Sequence, residues 1–141
     1  MTSYVEIEDA LRALGVTGRI LGMDERYDLP TERWVGGAFA TSFMDRLLAL
    51  NIVYRADKSD CNTFALEAMA HARECHLKSD GKHQLAFGLI AYWTRNNICH
   101  AANVYATMAG ADLEIHTFEP QTRQRTHLTD AEWKSTEWVL I

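Results

Sequence analysis

The sequence is poor in proline and cysteine and contains no long apolar run. Its 141 residues include two prolines and three cysteines. Pro30 and Pro120 both lie in short connections between predicted elements, and no stretch of linker composition separates two parts of the chain. Internal repeats and low-complexity tracts are also absent. The sequence therefore predicts a single domain over residues 1–141, long enough for one well-buried core.

The absence of an apolar run argues against a membrane protein. A membrane-spanning helix needs roughly 18 consecutive apolar residues. The first residues, MTSYVEIEDALRAL, are amphipathic and acidic, without the basic start and apolar centre of a secretory signal. The three cysteines have no framework spacing, and in a chain without such a signal they are expected to stay reduced. We therefore predict a cytoplasmic protein that makes no membrane contact.

An excess of basic residues is missing as well. The 14 Lys and Arg residues are scattered among 19 Asp and Glu residues, for a net charge of −5. A protein that binds nucleic acid normally concentrates basic residues on one face. The charge pattern therefore argues against nucleic acid as a partner. With 48% hydrophobic and 23% charged residues, the composition is typical of an ordinary globular protein.

The first half of the chain shows helical periodicity. Apolar residues at near-helical spacing predict a helix over residues 4–14, with Gly15 as a plausible C-cap. The same spacing in AFATSFMDRLLALNI predicts a second helix that ends near Asn51. Between them, RILGMDERYDLPTERWVGG is predicted to be extended or looped.

The second half is rich in β-branched and aromatic residues. The segments LAFGLIAYW, HAANVYAT, LEIHTF and TEWVLI are short and bounded by Asn, Gly, Pro or Thr, which predicts strands. TDAE at residues 129–132 is a capping-box pattern, so a brief helix near 131–134 is expected before the last strand. The predicted fold class is α+β, with N-terminal helices packed on a C-terminal antiparallel sheet.

Cys61 is predicted to stand at the start of the clearest helix in the chain, which Ser59 or Asp60 can cap. Backbone N–H groups and the helix macrodipole stabilise a thiolate at such a position, whereas the charge of Asp60 opposes it. An imidazole is therefore needed as the base. His100 begins one predicted strand and Glu119 ends the next, so a cysteine, a histidine and an acid follow in that order.

Three motifs carry a resemblance to a known family; they are DCNTFA (60–65), HAANV (100–104) and FEPQT (118–122). They resemble the DCDDFA, HAxNV and EPQT pattern of the agglutinin C-terminal family. This family comprises the papain-like cysteine-protease domain attached to the lectin of the fairy-ring mushroom and small bacterial and phage relatives. The resemblance covers about residues 54–122. It implies a papain-like fold, with Cys61 as nucleophile, His100 as base and Glu119 orienting the imidazole.

The resemblance also implies calcium, because the fungal member of the family is activated by that ion. Where the family has two acidic residues after the cysteine, this chain has Asn62 and Thr63. Ca²⁺ prefers carboxylate oxygens, and Asp57 and Asp60 remain as candidate ligands. We therefore predict no required cofactor, and the metal ligands stay open.

Other assignments stay open from the sequence. Gln121 is included among the predicted catalytic residues, because it could orient the imidazole in place of Glu119. The backbone N–H of Cys61 is a natural oxyanion donor, with Asn51, Asn96 or Gln121 as its side-chain partner.

A competing hypothesis uses metal chemistry. His71 and Cys75 are spaced i, i+4 on the predicted third helix, with His76 adjacent and Cys99 and His100 downstream, and such residues can bind zinc. No CxxC or HExxH motif supports this hypothesis.

The function predicted from these residues is a cysteine-dependent amide hydrolase, a thiol protease that cleaves a protein or peptide through a thioester acyl-enzyme. A deamidase or transamidase could use the same side chains. From a different class, the chain could be an inactive protease-like scaffold, phage-derived, that binds or inhibits a partner. The substrate, the oligomeric state and the role of residues 1–50 do not follow from the sequence.

Overall fold

The computed structural model describes residues 1–141 and contains five α-helices and nine β-strands. The helices are α1 (Tyr4–Ala13), α2 (Glu32–Trp34), α3 (Ala40–Ala49), α4 (Cys61–Leu77) and α5 (Asp130–Lys134), with a π-helical turn at Val35–Phe39 between α2 and α3. The strands are β1 (Thr2–Ser3), β2 (Arg19–Leu21), β3 (Arg26–Asp28), β4 (Gln84–Leu85), β5 (Phe87–Trp93), β6 (Cys99–Ala109), β7 (Asp112–Glu119), β8 (Gln124–Thr126) and β9 (Trp138–Leu140). None of the helices combines the length and the hydrophobicity that crossing a membrane requires.

The strands form two sheets. The larger has six strands in the order β2-β9-β5-β6-β7-β8, and the smaller has three in the order β1-β3-β4. The α+β class with a C-terminal antiparallel sheet is therefore confirmed, because β5 to β9 pair antiparallel throughout. The N-terminal strands add parallel pairs. β2 runs parallel to β9 and β3 runs parallel to β4. These pairings join segments far apart in the chain, which local sequence patterns do not report. The single-domain organisation stays a prediction.

The large sheet is covered on both faces, because successive strand side chains point to opposite sides. On one face Phe87, Tyr105 and Phe118 pack with apolar residues of α3, α4 and the π-helical turn. On the other face Ile90 and Val104 belong to a cluster with residues of α1 and with the tryptophan of α5. Two apolar layers thus flank the sheet and hold its strands in register.

Local capping places the helix ends near their predicted positions. Asp60 is the N-cap of α4 and accepts a hydrogen bond from the backbone N–H of Asn62. Ser59, the alternative cap, instead donates its hydroxyl proton to the carbonyl of Val53. At the end of α1 the C-cap is Leu14, and Gly15 follows with a φ of +103°, the left-handed position that favours glycine.

The second predicted helix differs from the observed one at its start. The helical path already begins in α2 and continues through the π-helical turn into α3. The segment contains Gly36 and Gly37, which lower its intrinsic helix propensity. The sequence pattern therefore does not predict a helix there. At the other end, α3 stops at Ala49 and Asn51 adopts a φ of +53°, close to the predicted boundary.

Candidate functional site

The predicted histidine and acid form a direct pair. His100 Nε2 lies 2.5 Å from Glu119 Oε2, and both side chains are mostly buried. The antiparallel register of β6 and β7 sets this proximity, since Asn103 pairs with Phe118. The other carboxylate oxygen, Glu119 Oε1, accepts a hydrogen bond from the backbone N–H of Gln121 at 3.1 Å. The carboxylate of Glu119 is therefore anchored from both sides and fixes the imidazole.

Gln121 contacts the His100–Glu119 pair only through its main chain. Its backbone N–H holds Glu119, while its side chain makes no hydrogen bond to His100. Between the two candidates for orienting the ring, the geometry favours Glu119. The side chains of Asn51, Asn96 and Gln121 also make no hydrogen bond to Cys61, so the structure selects none of them as an oxyanion donor.

Cys61 is the first residue of α4 and half-buried. Its side chain packs against an apolar cluster of Ala65, Leu89 and Ala101. Ala101 follows His100 on β6, and neighbouring strand residues point to opposite faces of the sheet. No hydrogen bond joins the thiol to the imidazole of His100. The structure thus brings His100 and Glu119 together and leaves Cys61 on the helix side of the same strand end.

Tyr92 lies beside His100 and was not among the site residues predicted from the sequence. It pairs with His100 across β5 and β6, with the two rings edge to face and their centroids 5.7 Å apart. Burial raises the pKa of the Tyr92 phenol, and the charges of Glu132, Glu119 and Cys61 raise it further. The phenol therefore stays neutral. Only its pairing with His100 across two strands identifies Tyr92 as a residue near the site.

Two tryptophans are exposed at the same end of the sheet. Trp93 is 38% exposed and Trp138 is 37% exposed. Ala91 pairs with Trp138, and Trp93 lies two residues further along β5, so both indoles project from one face. The indole N–H of Trp93 donates to Glu137 Oε1 at 2.7 Å. This pair, which we call the tryptophan surface, lies on the sheet face that also carries Ala101 and the Cys61 cluster.

The structure places the two candidate calcium ligands at the start of α4 and in the turn before it. Asp60 is occupied as the cap of α4. Asp57 lies in the preceding turn with a φ of +60°. Neither belongs to a group of three metal-binding side chains.

The proposed zinc ligands are also dispersed. His71 Nε2 lies 2.9 Å from the Ser42 hydroxyl and 3.7 Å from the Cys75 sulfur. His71 is stacked on Phe39, and burial lowers the pKa of its imidazole. His76 is directed elsewhere, toward the carbonyl of His83. The residues suggested by spacing therefore do not converge on one point.

Comparison with known proteins places this α+β fold among lectin structures. No family model matches the sequence, and no curated protein is significantly similar to it. One solved structure with this fold is the complex of the lectin PSL1a with E64, at 17% identity and a TM-score of 0.76, covering 99% of this chain and 51% of that one. A second is Polyporus squamosus lectin bound to the human-type influenza-binding epitope Neu5Acα2-6Galβ1-4GlcNAc, at 16% identity and a TM-score of 0.75, covering 99% of this chain and 49% of that one. The chain thus spans about half the length of these lectin chains and shares their fold.

These comparisons overturn the predicted function. The two solved structures described above are lectins, and one of them holds a sialylated glycan. The prediction of a hydrolase or cysteine protease that acts on a protein or peptide is therefore wrong. In the structure the thiol of Cys61 packs in an apolar cluster and has no hydrogen bond to His100.

Proposed function

We propose that this chain is a carbohydrate-binding domain and that a glycan docks on the tryptophan surface. The observation that carries the proposal is the pair of half-exposed indoles on one face of the sheet, Trp93 and Trp138. An indole offers a flat apolar face beside a polar edge, which suits the mixed apolar and hydroxyl surface of a sugar ring. The shared fold with a glycan-bound lectin supports the same class of ligand.

The tryptophan surface is partly ordered before any ligand arrives. The hydrogen bond from Trp93 to Glu137 holds the first indole. The hydroxyl of Ser135 accepts from the backbone N–H of Trp93 and donates to its carbonyl, which holds the strand end. Side chains that are already fixed lose less conformational entropy when a ligand binds. Because this entropy cost is low, a small surface can bind a sugar that makes few contacts.

A positive charge borders this surface. Arg19 pairs with Trp138 in the parallel β2–β9 ladder, so the two side chains leave the sheet on the same side. Arg19 is exposed and takes part in none of the ion pairs of the structure. A guanidinium in this position matches the carboxylate of an acidic sugar. We therefore propose a sialylated glycan as the preferred ligand.

The test is a titration of the purified chain with the trisaccharide Neu5Acα2-6Galβ1-4GlcNAc, monitored by calorimetry and by tryptophan fluorescence. We expect Trp93→Ala and Trp138→Ala each to weaken binding about tenfold, since a buried aromatic contact contributes on the order of 1.4 kcal/mol or more. Arg19→Gln should weaken binding of this probe and leave binding of the asialo probe Galβ1-4GlcNAc unchanged.

Tyr54→Ala is the matched control, because Tyr54 is an aromatic residue that is 58% exposed and lies outside the tryptophan surface. It should bind the trisaccharide as the parent does. Absence of binding to the parent, or equal binding by the parent and both tryptophan variants, would overturn the proposal.

We further propose that the chain belongs to the agglutinin C-terminal family and that Cys61, His100 and Glu119 form a reactive-thiol site. The three ordered motifs support the membership, as does a likeness that covers half of a lectin chain. The specific observation is the anchored His100–Glu119 pair on β6 and β7, of which β6 packs against the N-terminus of α4. In this proposal the Cys61 sulfur attacks an electrophilic carbon, and His100 takes the thiol proton.

Alkylation by iodoacetamide tests the thiol directly. The sulfur–carbon bond forms as iodide leaves, and peptide mass spectrometry follows Cys61 and Cys99 in the same sample. Burial raises the pKa of the Cys99 thiol, with the charges of Glu137 and Cys61 adding to the effect, so Cys99 is a slow internal reference. We expect Cys61 to react at least tenfold faster than Cys99 at neutral pH, and His100→Ala to remove the difference.

E64, the compound in the PSL1a complex, serves as a second probe. We expect an adduct on Cys61 that Cys61→Ser abolishes. A Cys61 that alkylates no faster than Cys99, in the parent and in His100→Ala alike, would contradict the reactive-thiol proposal and leave the glycan proposal to be judged on its own titration.

A further inference from the structure

A cluster of metal-binding side chains lies away from both surfaces described above. His116 and Glu114 are two residues apart on β7 and therefore share one face of the sheet. Glu32, the first residue of α2, reaches the same point from the helical side. One donor atom from each of the three residues lies within 4.8 Å of the other two. We propose that Glu32, Glu114 and His116 form a binding site for a divalent transition-metal ion such as Zn²⁺.

The distances in this trio suit a shared ion. His116 Nε2 lies 3.5 Å from Glu114 Oε2 and 3.7 Å from Glu32 Oε1. Around a tetrahedral ion with metal–ligand distances of about 2.0–2.2 Å, neighbouring donor atoms are separated by about 3.4 Å. The three side chains therefore stand near ligand spacing and need only small movements to bind.

Neighbouring groups orient the ligands. Arg125 forms an ion pair with Glu32 through Oε2, which leaves Oε1 directed at the imidazole. The ring of Tyr105 stacks on His116 with a centroid distance of 5.2 Å. Such supporting contacts around metal ligands set ligand orientation in known sites. Thr107 Oγ1 also lies 2.8 Å from His116 Nε2, and an ion would replace this contact.

A second observation, a buried hydroxyl group, points to the same place. The hydroxyl of Tyr105 is fully buried and makes no hydrogen bond of good geometry, although the Arg125 guanidinium lies near it. A buried hydroxyl without a partner costs on the order of 1–3 kcal/mol and calls for an explanation. Tyr105 lines a cavity of about 420 Å³ together with Glu32 and His116. A water or other ligand carried by the ion would supply the hydrogen-bond partner that Tyr105 lacks.

Charge and donor type select the ion. The carboxylates of Glu32 and Glu114 bring two negative charges to the point where the three donor atoms meet, and the guanidiniums of Arg123 and Arg125 line the adjacent cavity. One imidazole nitrogen with two carboxylate oxygens suits Zn²⁺ and similar transition metals. Ca²⁺ takes oxygen ligands almost exclusively and in larger number. The trio is therefore distinct from the calcium site that the sequence suggested near Asp57 and Asp60.

The experiment titrates Zn²⁺ alone into the metal-free chain, with Co²⁺ as a spectroscopic substitute whose visible absorption reports the ligand geometry. We expect one ion per chain and a higher Tm when the ion is bound, since binding to the folded state alone stabilises it. His116→Gln and Glu114→Gln should each raise the Kd at least tenfold. Glu114 is exposed, so its amide variant retains the fold even if the histidine variant does not.

His127→Gln is the matched control, because His127 lines the same cavity but is not one of the three ligands. It should bind Zn²⁺ as the parent does. The proposal would be overturned by a parent that binds no ion, by a Kd unchanged in Glu114→Gln, or by binding that Cys75→Ser abolishes. Neither the glycan titration nor the alkylation assay bears on this result.

Discussion

Replacing Leu47 with alanine is expected to lower the free energy of unfolding by about 3 kcal/mol, the usual cost of truncating a buried leucine. Leu47 lies on α3, is 5% exposed, and belongs to the apolar cluster formed with the aromatic residues of the sheet. Truncation removes its apolar contacts and leaves a cavity that the packed rings cannot fill. Urea unfolding followed by circular dichroism measures the change as a lower midpoint at constant m.

The neighbouring Leu48 is the control for this experiment. It is the same residue type on the same helix but is 68% exposed. Leu48→Ala should change the free energy of unfolding by no more than about 0.5 kcal/mol. Equal losses for the two variants would show that α3 does not pack on the sheet as described.

Replacing Asn103 with alanine is expected to cost a similar amount, about 3 kcal/mol, for a different reason. The amide of Asn103 is fully buried and donates to the carbonyls of Ala65 on α4 and Gly88 on β5, each at 2.9 Å. Removing it leaves both acceptors without that donor and opens a cavity between helix and sheet. Chemical unfolding again measures the loss.

This asparagine also links stability to the candidate site. Ala65 is one turn after Cys61, so the bond to Asn103 helps to hold the N-terminus of α4 against the sheet. We therefore expect Asn103→Ala to slow alkylation of Cys61 as well. Asn96→Ala, at an exposed position, should leave stability within about 0.5 kcal/mol of the parent. A loss below 1 kcal/mol in Asn103→Ala would contradict the structural role assigned to the amide.

The two candidate surfaces differ in how far the sequence could predict them. His100 and Glu119 were placed together from the order of two predicted strands, and the β6–β7 register does join them. The distance between Cys61 and the imidazole of His100 does not follow from the sequence, because it depends on how α4 packs on the sheet. The tryptophan surface does not follow from the sequence, since exposure of Trp93 and Trp138 depends on where the sheet ends.

Local patterns determined the elements whose causes lie within a few residues. The periodicity of α4, its cap at Asp60, the capping box of α5 and the β-branched and aromatic composition of β5 to β7 all act between near neighbours. Contacts between distant segments did not follow from such patterns. β2 pairs with β9 across more than a hundred residues, and Glu32 meets His116 only because α2 docks beside β7. These contacts form only when the apolar faces of helices and sheet pack together. They bring together the side chains of the proposed binding sites.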